Sequence, residues 1–536
     1  MSGQIDRFVH ERLPAAQLLP QTLPTAPEIQ FPQQLNLVEQ LLEMAETRGF
    51  GNRPLLRSTH VTLSYAQARE RVDGIARMLT EDLGLVSGNR VLLRGGNSIG
   101  LALCWLAVVK AGLVAVATMP LLRARELGDI IDKAQPAAAL CELKLLEELD
   151  RARLDRPGLR TVVAFGASGV QATAVHAAGG AGGPALACPT TGDDIALLAF
   201  TSGTTGPPKA AAHSHRDVLA ACETWPRHVL HATPEDIVVG SPPLAFTFGL
   251  GGLLVFPMWA GASVYFPDQA YSPESLVHTI NEVGATICYT APTFYRQMAP
   301  FARQFGVGEL RICVSAGEGL ADATRQLWKD ASGIEMTDGI GATEMFHIFI
   351  SSGPSGVRRG AVGKVVPGYQ ARVVNDDGVE VPRGKVGKLA VIGPTGCKYL
   401  DDQRQANYVH HGWNYPGDAF TQDSDGYFFF QARADDMIIT AGYNVCGPEV
   451  EDALLRHPAV AECGVIGKPD ATRGMIVKAF CVLKAGAAGD LAMVKTLQDH
   501  VKATIAPFKY PREIEFVASL PRTETGKLQR FRLRQS

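Results

Sequence analysis

The sequence predicts an α/β protein whose large N-terminal domain, residues 1–433, is followed by a small α+β domain, residues 434–536. Strands and helices alternate through most of the first domain, which predicts two parallel-type sheets layered with helices. From Ala361 onward, short strands separated by glycine and aspartate turns favour a small antiparallel β-barrel. After Arg433 the helices and strands form a set of about 100 residues, the size of a separate domain.

The individual elements follow from the spacing of apolar residues. Leu37, Val38, Leu41 and Leu42 recur at the period of a helix, whereas short apolar runs such as 161–165 are typical of buried strands. The predicted helices are 36–48, 66–83, 98–110, 216–225, 275–283, 448–456 and 491–505. The segment 62–65 is expected to open the second of these helices, with Ser64 as its N-cap. The predicted strands are 90–94, 114–118, 137–141, 161–165, 195–200, 236–240, 263–266, 285–289, 310–315, 371–374, 387–392, 426–430, 460–466, 477–483 and 513–516. Between them, 166–189 is expected to be a long surface connection.

Composition and charge argue against several classes of protein. The formal net charge is −3, so nothing favours nucleic acid or an anionic membrane as a partner. The 10 cysteines are scattered, which favours free thiols in a reducing compartment. The N-terminus has no signal-peptide pattern, and we therefore expect a cytoplasmic protein. Residues 242–266 carry no charged side chain, but their prolines and glycines favour the buried wall of a pocket over a membrane helix.

The clearest motif is Thr201-Ser-Gly-Thr-Thr-Gly-Pro-Pro-Lys209, which follows the apolar run 195–200. Its glycines allow the backbone to approach an anion, its hydroxyl and amide groups donate to phosphate oxygens, and Lys209 adds a positive charge. It is not a Walker A loop, because two prolines precede the lysine and no Gly-Lys-Ser/Thr follows. The motif predicts a phosphate clamp, although an ordinary Ser/Thr/Gly turn has the same composition.

Two further stretches of the N-terminal domain combine glycine with polar groups. Asp338-Gly-Ile-Gly-Ala-Thr-Glu344 offers a hydroxyl and a carboxylate, the ligands that Mg²⁺ prefers beside phosphates. A glycine turn before a helix is the alternative interpretation. Asp418 ends the loop 412–418, where an aspartate usually caps or turns the chain but can also chelate a ribose diol.

Two more stretches lie at and beyond the domain boundary. Residues 432–442 join the two predicted domains. Their arginine and aspartates could have a chemical role, and the alternative interpretation is that they are the solvated charges of a linker. Residues 521–528 place Lys527 directly after a glycine in a terminal loop, where a solvated surface lysine is the simplest interpretation. Taken singly, none of these stretches is specific.

Taken in order, the stretches resemble the motifs of the adenylate-forming superfamily, which contains acyl-CoA synthetases, carrier-loading adenylation domains and luciferases. The resemblance covers nearly the whole chain. The run 338–349 is most similar to benzoate and 2-aminobenzoate CoA ligases, because Ile340 stands where most relatives have an aromatic residue. The sequence departs from the family pattern at two places. Ala432 stands where relatives usually have a glycine, and residues 415–416 precede the Gly417-Asp418 pair where a threonine or similar residue is common. Neither departure removes a side chain with a chemical role.

The resemblance implies an ATP-dependent aryl-CoA ligase. A carboxylate would attack the α-phosphate of MgATP to give an acyl-adenylate and pyrophosphate, and the thiol of coenzyme A would then displace AMP. ATP, Mg²⁺ and coenzyme A are the implied cofactors, a small carboxylic acid is the implied partner, and a homodimer is left open. The alternatives are a short- or medium-chain or branched acyl-CoA synthetase, a stand-alone enzyme that loads a carrier protein, and a nucleotide-binding regulatory relic.

The resemblance also implies a role for individual residues. The implied catalytic residues are Lys527, Glu344 and Thr343, and Mg²⁺ is implied at Glu344 and Thr204. The implied phosphate contacts are Thr201, Ser202, Gly203, Thr204, Thr205, Lys209 and Thr343. The implied contacts with adenine and ribose are Gly317, Glu318, Gly319, Asp338, Gly339, Ile340, Gly341, Asp418 and Arg433. Asp435 is the implied hinge of a mobile C-terminal domain, whose motion would bring Gly442 and Tyr443 to the pantetheine tunnel.

The acyl pocket is implied among the aromatic residues of the uncharged segment and its neighbours. Its implied lining is Phe246, Thr247, Phe248, Tyr289, Gly317, Ile340, Phe346 and His347. The bulk of these side chains favours a flat, compact acid over a long acyl chain, and His347 is expected to contact a ring substituent such as an amino or hydroxyl group. Plain core packing is the alternative for any single aromatic residue.

Overall fold

The computed structural model describes residues 2–23, 29–166, 185–201, 208–353, 356–433, 436, 438–440, 443–470, 473–522 and 528–535. Most of the predicted connection 166–189 lies outside these ranges. In chain order the described strands are β1 (Pro54–Arg57), β2 (Thr62–Ser64), β3 (Arg90–Arg94), β4 (Val114–Thr118), β5 (Ala138–Glu142), β6 (Thr161–Phe165), β7 (Ile195–Thr201), β8 (Lys209–Ser214), β9 (Ile237–Gly240), β10 (Ser263–Tyr265), β11 (Ile287–Thr290), β12 (Ile312–Ser315), β13 (Met336–Gly341), β14 (Ile348–Ser351), β15 (Lys364–Val365), β16 (Gln370–Val374), β17 (Gly387–Ile392), β18 (Val409–His410), β19 (Trp413–Asn414), β20 (Asp418–Gln422), β21 (Phe428–Arg433), β22 (Ile438–Thr440), β23 (Tyr443–Val445), β24 (Val460–Asp470), β25 (Gly474–Leu483) and β26 (Glu513–Phe516).

Helices connect these strands and cover the sheets. The described α-helices are Met44–Thr47, Tyr65–Arg77, Ile99–Lys110, Ala124–Ala134, Leu146–Arg153, His215–Glu223, Thr247–Leu250, Phe256–Ala260, Pro273–Val283, Pro292–Phe305, Asp322–Ser332, Gln405–Tyr408, Gly447–Leu455, Leu491–Thr504 and Arg530–Leu533. Wider turns of the π type occupy Glu39–Glu43, Met78–Asp82, Pro226–Leu230 and Gly251–Val255. Turns of the 3₁₀ type occupy His10–Arg12, Ala16–Leu18, Leu143–Leu145, Thr343–Met345 and Pro507–Lys509.

The first sheet has the strand order β6-β5-β3-β4-β7-β8. Its strands from β6 to β7 are parallel, and helices cross over between consecutive members, as in the helix Ile99–Lys110 between β3 and β4. Both faces are covered, so β3 is buried at every position, including its two arginines. The last strand, β8, is antiparallel to β7 and returns the chain along the sheet edge.

The second sheet has the order β15-β14-β13-β12-β11-β9-β10-β1-β2. Its central strands, from β13 to β1, are parallel, whereas β14, β15 and β2 are antiparallel additions at the two ends. The carboxyl ends of neighbouring parallel strands meet at one edge, where ligands of α/β proteins usually bind. The segments that follow β12 and β13 therefore lie side by side.

The two remaining sheets are smaller. The third is antiparallel, with the order β18-β19-β17-β20-β21 and with β16 added beside β17. The fourth contains β23-β22-β25-β24, with β26 parallel to β25. The fourth sheet has a hydrophobic core of its own, which includes Val450, Leu454, Val477 and Leu497. A separate core is the property expected of a second domain.

The predicted fold class is confirmed, and several elements have the predicted bounds. Strands β3, β4, β6 and β26 begin and end where the apolar runs predict. Ser64 is the N-cap of the helix Tyr65–Arg77, since its side chain accepts a hydrogen bond from the Gln67 amide. The segment 62–64, predicted to open that helix, instead forms β2, because it pairs with β1. Strands β24 and β25 are longer than predicted because their ladder continues to the pair Asp470 and Gly474. The domain division after residue 433 stays a prediction.

The uncharged segment 242–266 is part of the N-terminal core. Its residues 247–260 are helical without a break and 263–265 form β10, and Leu254, Val255 and Phe256 are fully buried. Gly252 is required by close packing, because a Cβ atom there would lie 2.6 Å from the ring of Tyr289. Among the described residues, no helix has both the length and the apolar character needed to cross a membrane.

Candidate active site

The phosphate motif is the connection of a β-hairpin. Thr201 at the end of β7 and Lys209 at the start of β8 are directly opposite each other in the antiparallel ladder. Hairpin pairing fixes both ends of the motif against one sheet edge. Ser202, Gly203, Thr204 and Thr205 lie outside the described residues, so their phosphate and Mg²⁺ contacts stay predictions.

The second motif begins in β13 and turns sharply at Thr343–Met345. Gly341 is needed there, since a Cβ atom would lie 2.5 Å from the carbonyl oxygen of His347. Phe346 has a left-handed φ of 69°, a strained conformation for a bulky residue. This backbone reversal sends the ring of Phe346 against His213 and the ring of His347 into a different cluster. Strained residues of this kind concentrate at functional sites.

Glu344 and Lys209 meet through Tyr399, a residue that the sequence analysis missed. The Tyr399 hydroxyl donates to Glu344 Oε1, and Lys209 Nζ donates to the same hydroxyl over 3.3 Å. Lys209 Nζ also lies 5.1 Å from the centroid of the Tyr399 ring. Burial and the neighbouring carboxylate raise the pKa of Tyr399 above its ordinary value, so the phenol is neutral. Two residues predicted to bind MgATP are therefore linked in one hydrogen-bonded chain.

Thr343 is held by a second residue that the sequence analysis missed, His213 at the far end of β8. The Nε2–H group of His213 donates to the carbonyl oxygen of Thr343 over 2.7 Å. Burial lowers the pKa of His213 to about 4, so the ring is neutral near pH 7. A single strand thus carries Lys209 at its start and, through His213, supports Thr343 near its end.

The predicted adenine border is formed by two neighbouring parallel strands. Ser315 at the end of β12 is opposite Asp338 in β13, which brings 317–319 beside Gly339. Burial raises the pKa of Asp338 to about 6, while Arg325, 3.9 Å away, opposes that increase. Gly317 and Gly319 are exposed, so the backbone of this border faces solvent.

The predicted ribose residues are also neighbours. Asp418 begins β20 and is directly opposite Arg433, the last residue of β21, in the antiparallel ladder. The Asp418 side chain is buried, whereas the Arg433 side chain lies outside the described residues. The backbone therefore brings the predicted pair together, and the diol contact stays a prediction.

Three of the predicted pocket residues, Phe248, Tyr289 and His347, lie in one cluster of aromatic rings. His347 packs against Phe256 (ring centroids 4.5 Å apart), Trp225 (5.4 Å) and Phe248 (5.6 Å), and Tyr289 packs against Phe248 (5.8 Å). We call these five residues the aromatic cluster. Trp225 and Phe256 were not among the predicted pocket residues. Of the other predicted residues, Thr247 is buried, Phe246 and Ile340 are half-buried, and Gly317 is exposed.

The aromatic cluster contains polar atoms that the protein leaves unbonded. Within the described residues, Trp225 Nε1, Tyr289 Oη and both ring nitrogens of His347 are buried without a hydrogen-bond partner. Burial lowers the pKa of His347 to about 3 and raises that of Tyr289. Unpaired buried polar groups are costly, so each calls for a partner such as a bound ligand or water. The cluster therefore offers flat apolar faces together with neutral donors and acceptors.

The loop that carries Lys527 is held at its base. Lys527, Asp435 and Gly442 lie outside the described residues, as does the side chain of Tyr443. Arg522 and Leu528, however, pair across the base of the loop. Arg522 Nη1 lies 3.6 Å from Glu318 Oε2, at the predicted adenine border. Arg522 was also missed by the sequence analysis.

A Mg²⁺ ion would have few protein ligands here. No group of three or more His, Cys, Asp or Glu side chains among the described residues could hold a metal ion. The buried Glu344 carboxylate with the adjacent Thr343 hydroxyl is a hard oxygen donor set, which fits Mg²⁺ delivered with nucleotide phosphates.

Comparison with known proteins identifies the family. The model of the AMP-binding enzyme family matches residues 44–398, and that of the AMP-binding enzyme C-terminal domain matches residues 449–527. The chain belongs to the AMP-binding enzyme family. It is an AMP-forming acid–thiol ligase. The fold agrees with this class, as does the link between Lys209 of the predicted phosphate motif and Glu344.

Several similar proteins have named activities. A benzoate–CoA ligase of Thauera aromatica is 33% identical over 96% of this chain and 98% of its own length. A 4-hydroxybenzoate–CoA/benzoate–CoA ligase of Rhodopseudomonas palustris is 33% identical over 88% of this chain and 89% of its own. The crystal structure of the anthranilate CoA ligase AuaEII with anthranoyl-AMP is 34% identical, with a TM-score of 0.89 over 94% of this chain and 98% of that chain.

Buried neutral histidines make stability depend on pH. The folded pKa of His347 is about 3 and the ordinary value is 6.5, so the folded state binds fewer protons than the unfolded state between these values. Stability therefore falls as the pH decreases through this window. Lowering the pH from about 7 to about 5 should cost about 2 kcal/mol for such a group.

We expect His347→Phe to reduce the decrease in thermal unfolding midpoint between these two pH values, because it removes the titrating group. His60 has a side chain that is 71% exposed, so His60→Phe is the control and should leave the decrease unchanged. Equal pH profiles for wild type and His347→Phe would show that His347 is not a buried neutral histidine.

Proposed function

We infer that this ligase is an aryl-CoA ligase, which activates an aromatic acid of the benzoate or 2-aminobenzoate type and transfers it to coenzyme A. The observation that carries this proposal is the aromatic cluster, because its member His347 lies three residues along the chain from Glu344 and its rings offer flat faces. The names of the similar benzoate and anthranilate ligases support the same substrate class.

In the first half-reaction, a carboxylate oxygen of the acid forms a bond to the α-phosphorus of ATP, and the bond from that phosphorus to pyrophosphate breaks. Both reactants are anions, so catalysis depends on positioning and on neutralising charge. Lys209 and the hydroxyls of the phosphate motif would hold the departing pyrophosphate. Thr343 would contact the α-phosphate, and Lys527 would bridge the two anions. Mg²⁺ at Glu344 and Thr204 would supply further positive charge.

In the second half-reaction, the thiol sulfur of coenzyme A forms a bond to the acyl carbon, and AMP leaves with the bonding electron pair. We propose that the C-terminal domain turns about Asp435 between the two steps. This motion would withdraw Lys527 and bring Gly442 and Tyr443 to the thiol. The contact of Arg522 with Glu318 supports the first pose, since it holds the base of the Lys527 loop against the adenine border.

The unpaired polar atoms support an acid with a ring substituent. An unsubstituted ring would leave Trp225 Nε1, Tyr289 Oη and the His347 nitrogens without partners, whereas an amino or hydroxyl substituent would satisfy some of them. A site with polar groups for a substituent disfavours substrates that lack it. We therefore favour 2-aminobenzoate or a hydroxybenzoate over benzoate.

The direct test of the proposed function is pyrophosphate release with a panel of acids, with and without coenzyme A. Benzoate, 2-aminobenzoate and 4-hydroxybenzoate represent the aromatic class, and octanoate and isobutyrate represent the alternatives. We expect release with the aromatic acids and a CoA thioester as the final product. A preference for the aliphatic acids, or no thioester with free coenzyme A, would contradict the proposal.

His347→Phe tests recognition of the substituent. Removing a buried hydrogen-bond partner should lower kcat/KM for 2-aminobenzoate by about tenfold or more. The value for benzoate should change by less than about threefold, because the ring faces of the cluster are kept. If both acids lose the same factor, His347 does not contact a substituent.

Lys527→Ala tests the division of labour between the half-reactions. Loss of a charged transition-state contact should slow adenylation by about a thousandfold, measured as carboxylate-dependent pyrophosphate exchange. Thioester formation from pre-formed acyl-adenylate and coenzyme A should be much less affected. Lys495, whose side chain is 79% exposed, gives the control variant Lys495→Ala. Equal losses in both half-reactions would disprove a role specific to adenylation.

A further inference from the structure

We propose that Tyr399 is a positioning residue that keeps Lys209 and Glu344 apart in the resting enzyme, so that each remains available for MgATP. This inference rests on the proposed function, which assigns Lys209 to the phosphates and Glu344 to Mg²⁺. The observation behind it is the hydrogen-bonded chain from Lys209 through the Tyr399 hydroxyl to Glu344.

Lys209 and Glu344 carry opposite charges in an interior where attraction between charges is stronger than in water. Without an intervening group, a lysine ammonium and a carboxylate so close together would form a direct ion pair. That pair would have to break each time the phosphates and the metal ion bind. A neutral hydroxyl avoids it, because one oxygen accepts from the ammonium and donates to the carboxylate at the same time.

Hydrogen bonds and ring packing hold Tyr399 in place. Residues 398–400 pair with the free edge of β8, where the Leu400 amide donates to the Ala210 carbonyl over 2.9 Å. The Tyr399 amide donates to Gln405 Oε1 over 2.9 Å, and the Tyr399 ring packs edge-on against Tyr408 with 5.8 Å between centroids. The side chain is 1% exposed. Backbone pairing and packing therefore fix the hydroxyl relative to the strand that begins with Lys209.

The two half-reactions depend differently on Lys209 and Glu344. Adenylation requires both Lys209 and Glu344 in their binding positions, because pyrophosphate and Mg²⁺ are present only in that step. Thioester formation starts from acyl-adenylate and uses neither group. A residue that only positions Lys209 and Glu344 should therefore affect MgATP binding and adenylation while sparing the second half-reaction.

The test compares Tyr399→Phe with Tyr408→Phe. Tyr408 is the matched control, because its hydroxyl is also buried, packs one ring away and has no hydrogen-bond partner among the described residues. MgATP binding is measured by calorimetry in the absence of acid, and Mn²⁺ binding to the ATP complex by electron paramagnetic resonance. We expect Tyr399→Phe to weaken both by about tenfold, because a direct ion pair between Lys209 and Glu344 would have to break before the ligands bind, and Tyr408→Phe to bind as wild type.

The second readout is thioester formation from pre-formed acyl-adenylate, which should stay within about twofold of wild type in Tyr399→Phe and which also reports correct folding. Wild-type affinity for MgATP and Mn²⁺ in Tyr399→Phe would overturn the positioning role and leave the proposed function standing. Equal loss of both half-reactions in Tyr399→Phe would likewise overturn it. A wild-type enzyme that binds MgATP but activates only aliphatic acids would overturn the aryl assignment and leave the role of Tyr399 supported by the binding data.

Discussion

The candidate active site depends on one antiparallel strand, β8, added to the edge of a parallel sheet. On one side it pairs with β7, which sets Lys209 opposite Thr201. On the other side it pairs with residues 398–400, which bring Tyr399 to Lys209 and Glu344. The three alanines 210–212 are fully buried, and their small side chains permit this close packing on both edges and faces. Displacing β8 would therefore disturb the phosphate motif and the glutamate together.

Burial determines which groups of the site carry charge. His213 supports the backbone of Thr343, and Tyr399 separates the two charged groups. Both are deeply buried and neutral, since desolvation disfavours their charged forms. Before phosphate binds, a charged histidine behind Thr343 would be a buried positive charge without an anion to neutralise it. The site thus concentrates its charge on Lys209 and Glu344 and uses neutral hydrogen-bonding groups to support them.

Much of the fold follows from the sequence because its parallel strands are continuous apolar runs, such as β4 and β6. Strand β8 could not be predicted this way, since its Ala-Ala-Ala-His sequence has low strand propensity and forms through pairing on both sides. Residues of separate predicted motifs are neighbours in the structure. Asp418 and Arg433, for example, are opposite each other in the ladder of β20 and β21. Tyr399 was missed because its importance arises only from contacts 190 and 55 residues away in sequence, which no local pattern contains.

One of the polar contacts across the predicted domain boundary is made by Arg522. Arg522 lies 3.6 Å from Glu318 of the N-terminal domain and 2.7 Å from Glu462 of its own domain. If the domains separate, Arg522 keeps Glu462 as its partner, and Glu318 keeps the Thr293 hydroxyl, which donates over 2.8 Å. Neither Arg522 nor Glu318 is left without a partner, so the large penalty for breaking a buried ion pair does not arise at this contact. The proposed turn of the C-terminal domain requires contacts of this kind, which are specific enough to define one pose and weak enough to be exchanged for another.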